Sequence, residues 1–167
     1  PPRSTLFPYT TLFRSHYQTE IFDIWSRQYA STAKPENKAY QFDKHASVQD
    51  MCFWFLWPTT ALGYLPGVEA LFFSAILPDS VDKTTRLGHW LVADDTPLPD
   101  NFNDYMNNIL FAEDIALCES VQQGFRSRSY DQGPFMIDPE HSGISEVAVQ
   151  HFHGLIQQAL GDVGRIV

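Results

Sequence analysis

The distribution of apolar residues in the first half of the chain predicts short β-strands. Apolar and aromatic side chains fill Cys52–Trp57, and similar stretches follow in Thr60–Leu65 and Ala70–Leu77. Looser alternation continues in Thr84–Ala93. Proline and glycine lie between these stretches, which is typical of turns. We therefore expect three or four antiparallel strands, preceded by a strand or an irregular segment over His16–Ala30 and a polar surface loop over Ser31–Lys44.

The second half of the chain has a helical pattern. Phe102–Gly124 contains no proline, and its only glycine is the last residue, so it predicts one long helix. Asp100 or Asn101 can cap its start. A second helix is predicted to open at Ser142–Glu146 and to end at Leu160, before Gly161. Strands followed by helices indicate an α+β domain, with a helix packed on a curved antiparallel sheet.

One uncharged segment, residues 51–68, is long enough for a membrane helix. Pro58, Gly63 and Pro66 interrupt it, and two threonines occupy its centre. Breakers at this spacing favour two short strands joined by a turn.

Composition limits the classes of function. A length of 167 residues fits one domain or part of one, and 44% hydrophobic residues can build a core. The aromatic share of 14% suggests a lined cavity in addition to that core. A net charge of -9 disfavours nucleic acid and an anionic membrane surface as partners. Two cysteines are too few for a disulfide framework.

The first 15 residues differ from the rest. The run TLFPYTTLFRS, residues 5–15, resembles the in-frame translation of a sequencing-library adapter. We therefore expect residues 1–15 to be an adapter-like artefact and residues 16–167 to be part of a domain that extends further upstream.

Asp114 is the residue that most strongly suggests chemistry. On a helix its neighbours one turn away are Leu110, Phe111, Leu117 and Cys118, so we expect it on an apolar face. A buried carboxylate must be paired, protonated or metal-bound. One hypothesis is an ion pair with an arginine of the sheet, such as Arg86, or a misassigned helix face. The other is a metal ligand or an acid–base group.

The six histidines do not form a recognisable metal site. His151 and His153 are two residues apart, so on a helix they point to nearly opposite sides and cannot bind one ion together. No two histidines lie four apart on a helical stretch. The sequence also contains no glycine-rich phosphate loop and no nucleophile elbow.

Three longer segments carry a family resemblance. These are FWFLWPTTALGYLPGVEALFFSAILPDSVDKTTR, FAEDIALCESVQQGFRSRSY and GPFMIDPEHSGISEVAVQHFHGLIQQAL. They resemble the C-terminal catalytic domain of the large (α) subunit of Rieske non-haem iron ring-hydroxylating oxygenases. The resemblance covers nearly all of residues 16–167 and implies a helix-grip-like α+β fold.

The resemblance also implies a mechanism and a set of partners. Members of the family hold a mononuclear Fe(II) with two histidines and one carboxylate, and Asp114 matches the carboxylate. Electrons come from a reductase or ferredoxin through a [2Fe-2S] Rieske cluster. The parent protein would be a cytoplasmic homo-oligomer, trimer-like in assembly, that hydroxylates an aromatic or quaternary-amine-type small molecule with O₂. Nucleic acid and membrane are not implied as partners.

The same resemblance suggests a substrate pocket lined by Leu110 and Phe111 beside Asp114, with Phe55 and Trp57 from the sheet. Core packing explains these four residues equally well. The sequence departs from the family because both histidine ligands and the Rieske-cluster ligands are absent, so we expect this fragment to be inactive. The alternatives are a non-catalytic helix-grip module that binds an apolar small molecule and a subunit-contact domain.

Overall fold

The computed structural model describes residues 17–31, 40, 43–93, 96–131, 133–142 and 144–161. They form a six-stranded antiparallel sheet and a set of helices that follows it in the chain. The strands are β1 (Tyr17–Ile21), β2 (Trp25–Ala30), β3 (Met51–Leu56), β4 (Thr60–Tyr64), β5 (Ala70–Ser80) and β6 (Lys83–Val92). The helices are α1 (Phe102–Asp104), α2 (Phe111–Gly124) and α3 (Val147–Leu160). The predicted α+β, helix-grip-like class is confirmed.

Every strand pairs with the next one along the chain, so the sheet is a simple meander. The predicted strands over residues 52–93 correspond to β3–β6, whereas His16–Ala30, predicted as one strand or an irregular segment, forms the β1–β2 hairpin. Its turn lacks proline and glycine. Instead, the Phe22 amide donates to the Trp25 carbonyl, and the two rings stack with centroids 3.7 Å apart.

Strand β5 also extends beyond its predicted end at Pro78. Pro78 pairs with Thr84, and the register shifts between Pro78 and Ser80. A bulge of this kind tolerates proline, because the ladder is already interrupted there. The uncharged segment over residues 51–68 forms β3, β4 and their turns, as predicted. Across the described ranges, no helix has the length and apolar character needed to cross a membrane.

The register gives the sheet two distinct faces. The inner face includes Phe55, Phe72, Ser74 and Trp90, and the helices pack on this side. The outer face carries the alternate positions, among them Trp54.

The core lies between the inner face and the start of the helical region. It contains Tyr40, Val68, Ala70, Phe102 and Met106. Tyr40 is only 5% exposed and donates its hydroxyl hydrogen to the Pro66 carbonyl at 2.7 Å. The predicted surface loop was therefore wrong at this residue, while residues 32–39, 41 and 42 of that loop lie outside the described ranges, as do residues 1–15.

The long predicted helix is confirmed, with one irregular part. A π-helical segment, Tyr105–Leu110, joins α1 to α2 without a break. Asn101 is the N-cap residue, one of the two predicted, but its side chain makes no capping hydrogen bond. The helix ends at Gly124 as expected.

Helix α3 begins at Val147, several residues after the predicted Ser142. The preceding residues instead fold around Asp138, whose carboxylate accepts hydrogen bonds from the Ser142 hydroxyl at 2.6 Å and from two backbone amides. The hydrogen bond from Ser142, the largest cause, and those from the backbone lower the pKa of Asp138. The helix stops at Gly161, which has a φ of 63°.

Candidate active site around Asp114

Asp114 lies in the first turn of α2, immediately after the π-helical segment. A π-helical turn is rare and is often found at functional sites, because its wider hydrogen-bonded loop displaces the residues that follow. The segment therefore sets the direction in which the first turn of α2 meets the sheet.

Asp114 is exposed, and the expectation that it is buried on an apolar face is wrong for the described structure. No residue of α2 is buried, and Leu117 and Val121 are both nearly half exposed. The apolar neighbours were identified correctly, but no described element covers them. Among the described residues, Asp114 makes no hydrogen bond or ion pair.

The start of α2 is anchored to the sheet by two residues of the predicted pocket. Leu110 and Phe111 pack against the core cluster. The Phe111 ring lies 6.3 Å from the Phe72 ring, centroid to centroid. Because Phe111 holds the first turn against β5, the Asp114 side chain stays near this part of the inner face.

Arg86 of β6 packs against this aromatic anchor. Its guanidinium carbon lies 4.0 Å from the centroid of Phe111 and 4.9 Å from that of Phe72. Its Nε donates a hydrogen bond to the Ser74 hydroxyl at 3.1 Å, and Ser74 is only 1% exposed. The sequence analysis named Arg86 only as a possible ion-pair partner. The signal for its anchoring was the strand periodicity that places Phe72 and Ser74 on one face.

The Asp114 carboxylate acts electrostatically on Arg86 without touching it. Arg86 is more than a third exposed as a whole, yet desolvation of its guanidinium lowers its pKa, and the Asp114 carboxylate partly opposes this. No ion pair within 4.0 Å joins the two in the described part of the chain. The predicted alternative of a direct guanidinium contact to Asp114 is therefore not observed.

The other two predicted pocket residues lie in a separate aromatic cluster. The ring centroids of Phe55 and Trp57 are 5.1 and 5.5 Å from that of Phe152 in α3. They hold α3 on the inner face, whereas Leu110 and Phe111 hold the start of α2. A shared substrate pocket for all four residues stays a prediction.

The described residues do not complete a metal site. Within the described ranges, no three histidine, cysteine, aspartate or glutamate side chains are grouped so that they could hold an ion. Cys52 is buried and Cys118 is exposed, and both are free. Asp114 can supply one hard oxygen ligand, which suits iron, but it does not hold an ion alone.

The cavities of the described structure lie elsewhere. One of about 780 Å³ is lined by residues of β1, β2 and β3 and by Glu140. A second of about 450 Å³ lies between β1 and α3. Asp114 lines neither cavity. The candidate site is therefore the region where α2, Phe111 and Arg86 meet.

A family model and curated relatives match this chain, and both point to the same family. Residues 8–162 match the model of the ring hydroxylating alpha subunit (catalytic domain). This match begins inside the adapter-like segment 1–15. The oxygenase subunit of carnitine monooxygenase from Escherichia coli K12 is 34% identical over 143 residues, which cover 83% of this chain. The corresponding subunit from Acinetobacter baumannii is 31% identical over 139 residues, 80% of this chain. The chain spans only 37% of the length of either relative.

Solved structures similar to this chain come from the same family. The quaternary ammonium Rieske monooxygenase CntA in complex with γ-butyrobetaine is 26% identical with a TM-score of 0.66, covering 86% of this chain and 38% of that one. The structure of CntA with L-carnitine is also 26% identical, with a TM-score of 0.63. The match covers 85% of this chain and 36% of that one. The family match and the curated relatives each cover most of the chain. The chain therefore belongs to the ring-hydroxylating α-subunit family of Rieske oxygenases, within its catalytic domain.

Proposed function

We propose that this chain forms part of the catalytic domain of a Rieske-type non-haem iron monooxygenase that oxidises a small quaternary amine. The observation that carries the proposal is the position of Asp114, exposed and unpaired among the described residues, one turn after a π-helical segment. Membership of the family gives that carboxylate a chemical use as one iron ligand.

The substrate class rests on the relatives. The two curated relatives are carnitine monooxygenase subunits, and CntA has been solved with γ-butyrobetaine and with L-carnitine. The aromatic side chains at the inner face suit such a cation, because aromatic rings attract quaternary ammonium groups. This favours a quaternary amine over an aromatic hydrocarbon.

In this proposal each residue has a limited role. Asp114 supplies the carboxylate ligand, and the two histidine ligands come from outside the described residues. Leu110 and Phe111 fix the turn that carries Asp114, while Phe55 and Trp57 contribute apolar walls further along the sheet. When bound, the mononuclear iron supplies the oxygen activation for which a two-histidine, one-carboxylate site is suited.

The electron donors and the oligomeric assembly are also proposed on the basis of family membership. The parent enzyme would receive electrons from a reductase or ferredoxin through a [2Fe-2S] Rieske cluster in another domain. It would act as a cytoplasmic homo-oligomer of trimer-like form. The net charge of -9 fits small cationic substrates better than anionic polymers.

A chimaera tests this function. Residues 17–161 replace the matching segment of the Escherichia coli carnitine monooxygenase oxygenase subunit, which supplies the rest of the protein. With reductase and O₂, product formation is measured by mass spectrometry for γ-butyrobetaine, L-carnitine, choline and naphthalene. We expect oxidation of at least one quaternary amine and none of naphthalene.

Iron loading serves as the control for that assay. Conversion of naphthalene, or failure to oxidise every quaternary amine by a chimaera with full iron content, would contradict the proposed substrate class. The unmodified Escherichia coli subunit, assayed in parallel, confirms that the electron supply is adequate.

A further inference from the structure

Arg86 has hydrogen-bonding capacity that the described structure does not use. Its Nε is occupied by Ser74. A guanidinium has five N–H donors, so four remain on its two Nη atoms. Among the described residues, these Nη atoms have no hydrogen-bond or ion-pair partner.

The guanidinium is also held in one orientation. Phe111 and Phe72 contact it at 4.0 and 4.9 Å, and the bond to Ser74 fixes its inner edge. Gly88, two residues along on the same face, provides the space for this packing, since a Cβ there would lie 3.2 Å from the Phe72 ring. An arginine restrained in this way loses little conformational entropy when it binds a ligand.

We infer that Arg86 is a specificity-determining residue that binds the carboxylate of a zwitterionic substrate. This inference rests on the proposed function and adds that the quaternary amine also carries a carboxylate. Two parallel N–H donors match the two oxygens of a carboxylate, a geometry that favours arginine over lysine.

The charges around Arg86 are consistent with this role. Asp114 is close enough to act on Arg86 electrostatically, yet no ion pair forms between them. A substrate carboxylate at the Nη atoms would pair with the cation and leave the Asp114 carboxylate free. A substrate without a carboxylate would leave the arginine unpaired beside its own cationic group, which is unfavourable.

The test measures how strongly the full 167-residue chain distinguishes two ligands. Ligand-observed NMR gives Kd for γ-butyrobetaine and for the alcohol of the same chain length, which keeps the quaternary ammonium and lacks the carboxylate. The preference is the Kd of the alcohol divided by that of γ-butyrobetaine. Arg86→Gln, Arg86→Lys and Arg128→Gln are compared with wild type, and circular dichroism confirms that each is folded. Arg128→Gln is the matched control, because it removes the same charge from an exposed arginine.

A charge-assisted bidentate contact predicts that Arg86→Gln lowers the preference about 10- to 100-fold. Arg86→Lys should keep an intermediate preference, and Arg128→Gln should keep the wild-type value. Equal weakening of both ligands by Arg86→Gln, or no change in either, overturns the inference while leaving the proposed function intact.

A further ligand separates the two proposals. Butyrate has the carboxylate without the ammonium group. If wild type binds butyrate through Arg86 but binds neither quaternary amine, the proposed substrate class is wrong, and the carboxylate that Arg86 binds belongs to another class of ligand. If no carboxylate-bearing ligand binds wild type, the role of Arg86 is overturned.

Discussion

Two glycines show how single residues shape the inner face of the sheet. Gly63 lies opposite Phe53, and a Cβ at this position would be 2.3 Å from the Phe53 ring. Gly88 makes similar room for Phe72. In both pairs the missing side chain allows an aromatic ring to lie across the neighbouring strand, and at Gly88 that ring contacts Arg86.

Replacement of Gly63 should therefore be costly. We expect Gly63→Ala to lower the free energy of unfolding by about 1–3 kcal/mol, because the Phe53 ring must leave its position. Gly154 in α3 is the control, since nothing lies within 4 Å of a Cβ built there. Gly154→Ala should raise stability by about 0.5–1 kcal/mol through helix propensity. Urea unfolding of both variants measures these effects, and equal values would contradict the packing argument.

The sequence correctly placed Asp114 on a helix, but it did not reveal that the side chain is exposed. Its helix and its apolar neighbours follow from local periodicity. Its exposure depends on which elements cover α2, and no local pattern encodes that. The anchoring of Arg86 was equally hidden, because it needs β5, β6 and α2 to meet and these are distant in the chain.

At the scale of elements, the strands and helices followed the local patterns, and the errors came from long-range packing or unusual turns. Strand β3 and α2 were predicted from apolar clustering and from the absence of helix breakers. The β1–β2 turn was missed because aromatic stacking of Phe22 on Trp25 replaces the usual glycine or proline. The π-helical segment has no simple sequence signature, since its residues are ordinary helix formers and aromatics.

Phe152 is one of the residues that attach α3 to the sheet. Its ring contacts both Phe55 and Trp57. We expect Phe152→Ala to destabilise the fold by about 2–3 kcal/mol, somewhat less than for a fully buried phenylalanine, because the residue is half-buried. Phe125 is the matched control, as it is 49% exposed and contacts Tyr130 alone among described rings.

Thermal unfolding, together with tryptophan fluorescence, measures the two phenylalanine variants. Phe152→Ala should lower Tm and change the emission of Trp57, whereas Phe125→Ala should change neither appreciably. A larger loss for Phe125→Ala would show that α3 is not held by this cluster.

At the scale of the whole molecule, the chain corresponds to one portion of its curated relatives. It spans 37% of the length of its curated relatives, and the described residues offer Asp114 but no complete group of metal ligands. The fold class and the family could be predicted from the sequence. Each strand pairs with the next one along the chain, and the helix around Asp114 follows from its own local sequence pattern. A complete metal site could not be predicted, because no group of metal-ligating side chains is apparent in the patterns of this sequence.

The most direct test of the account is the iron content of the chimaera after substitution of Asp114. Mononuclear iron is measured by elemental analysis, with the absorbance of the [2Fe-2S] cluster as an internal reference. We predict that Asp114→Ala loses the mononuclear iron and keeps the cluster, while Glu113→Ala, its exposed acidic neighbour, keeps both. Retention of mononuclear iron by Asp114→Ala, or its loss from Glu113→Ala, would contradict the assignment of Asp114 as the iron ligand.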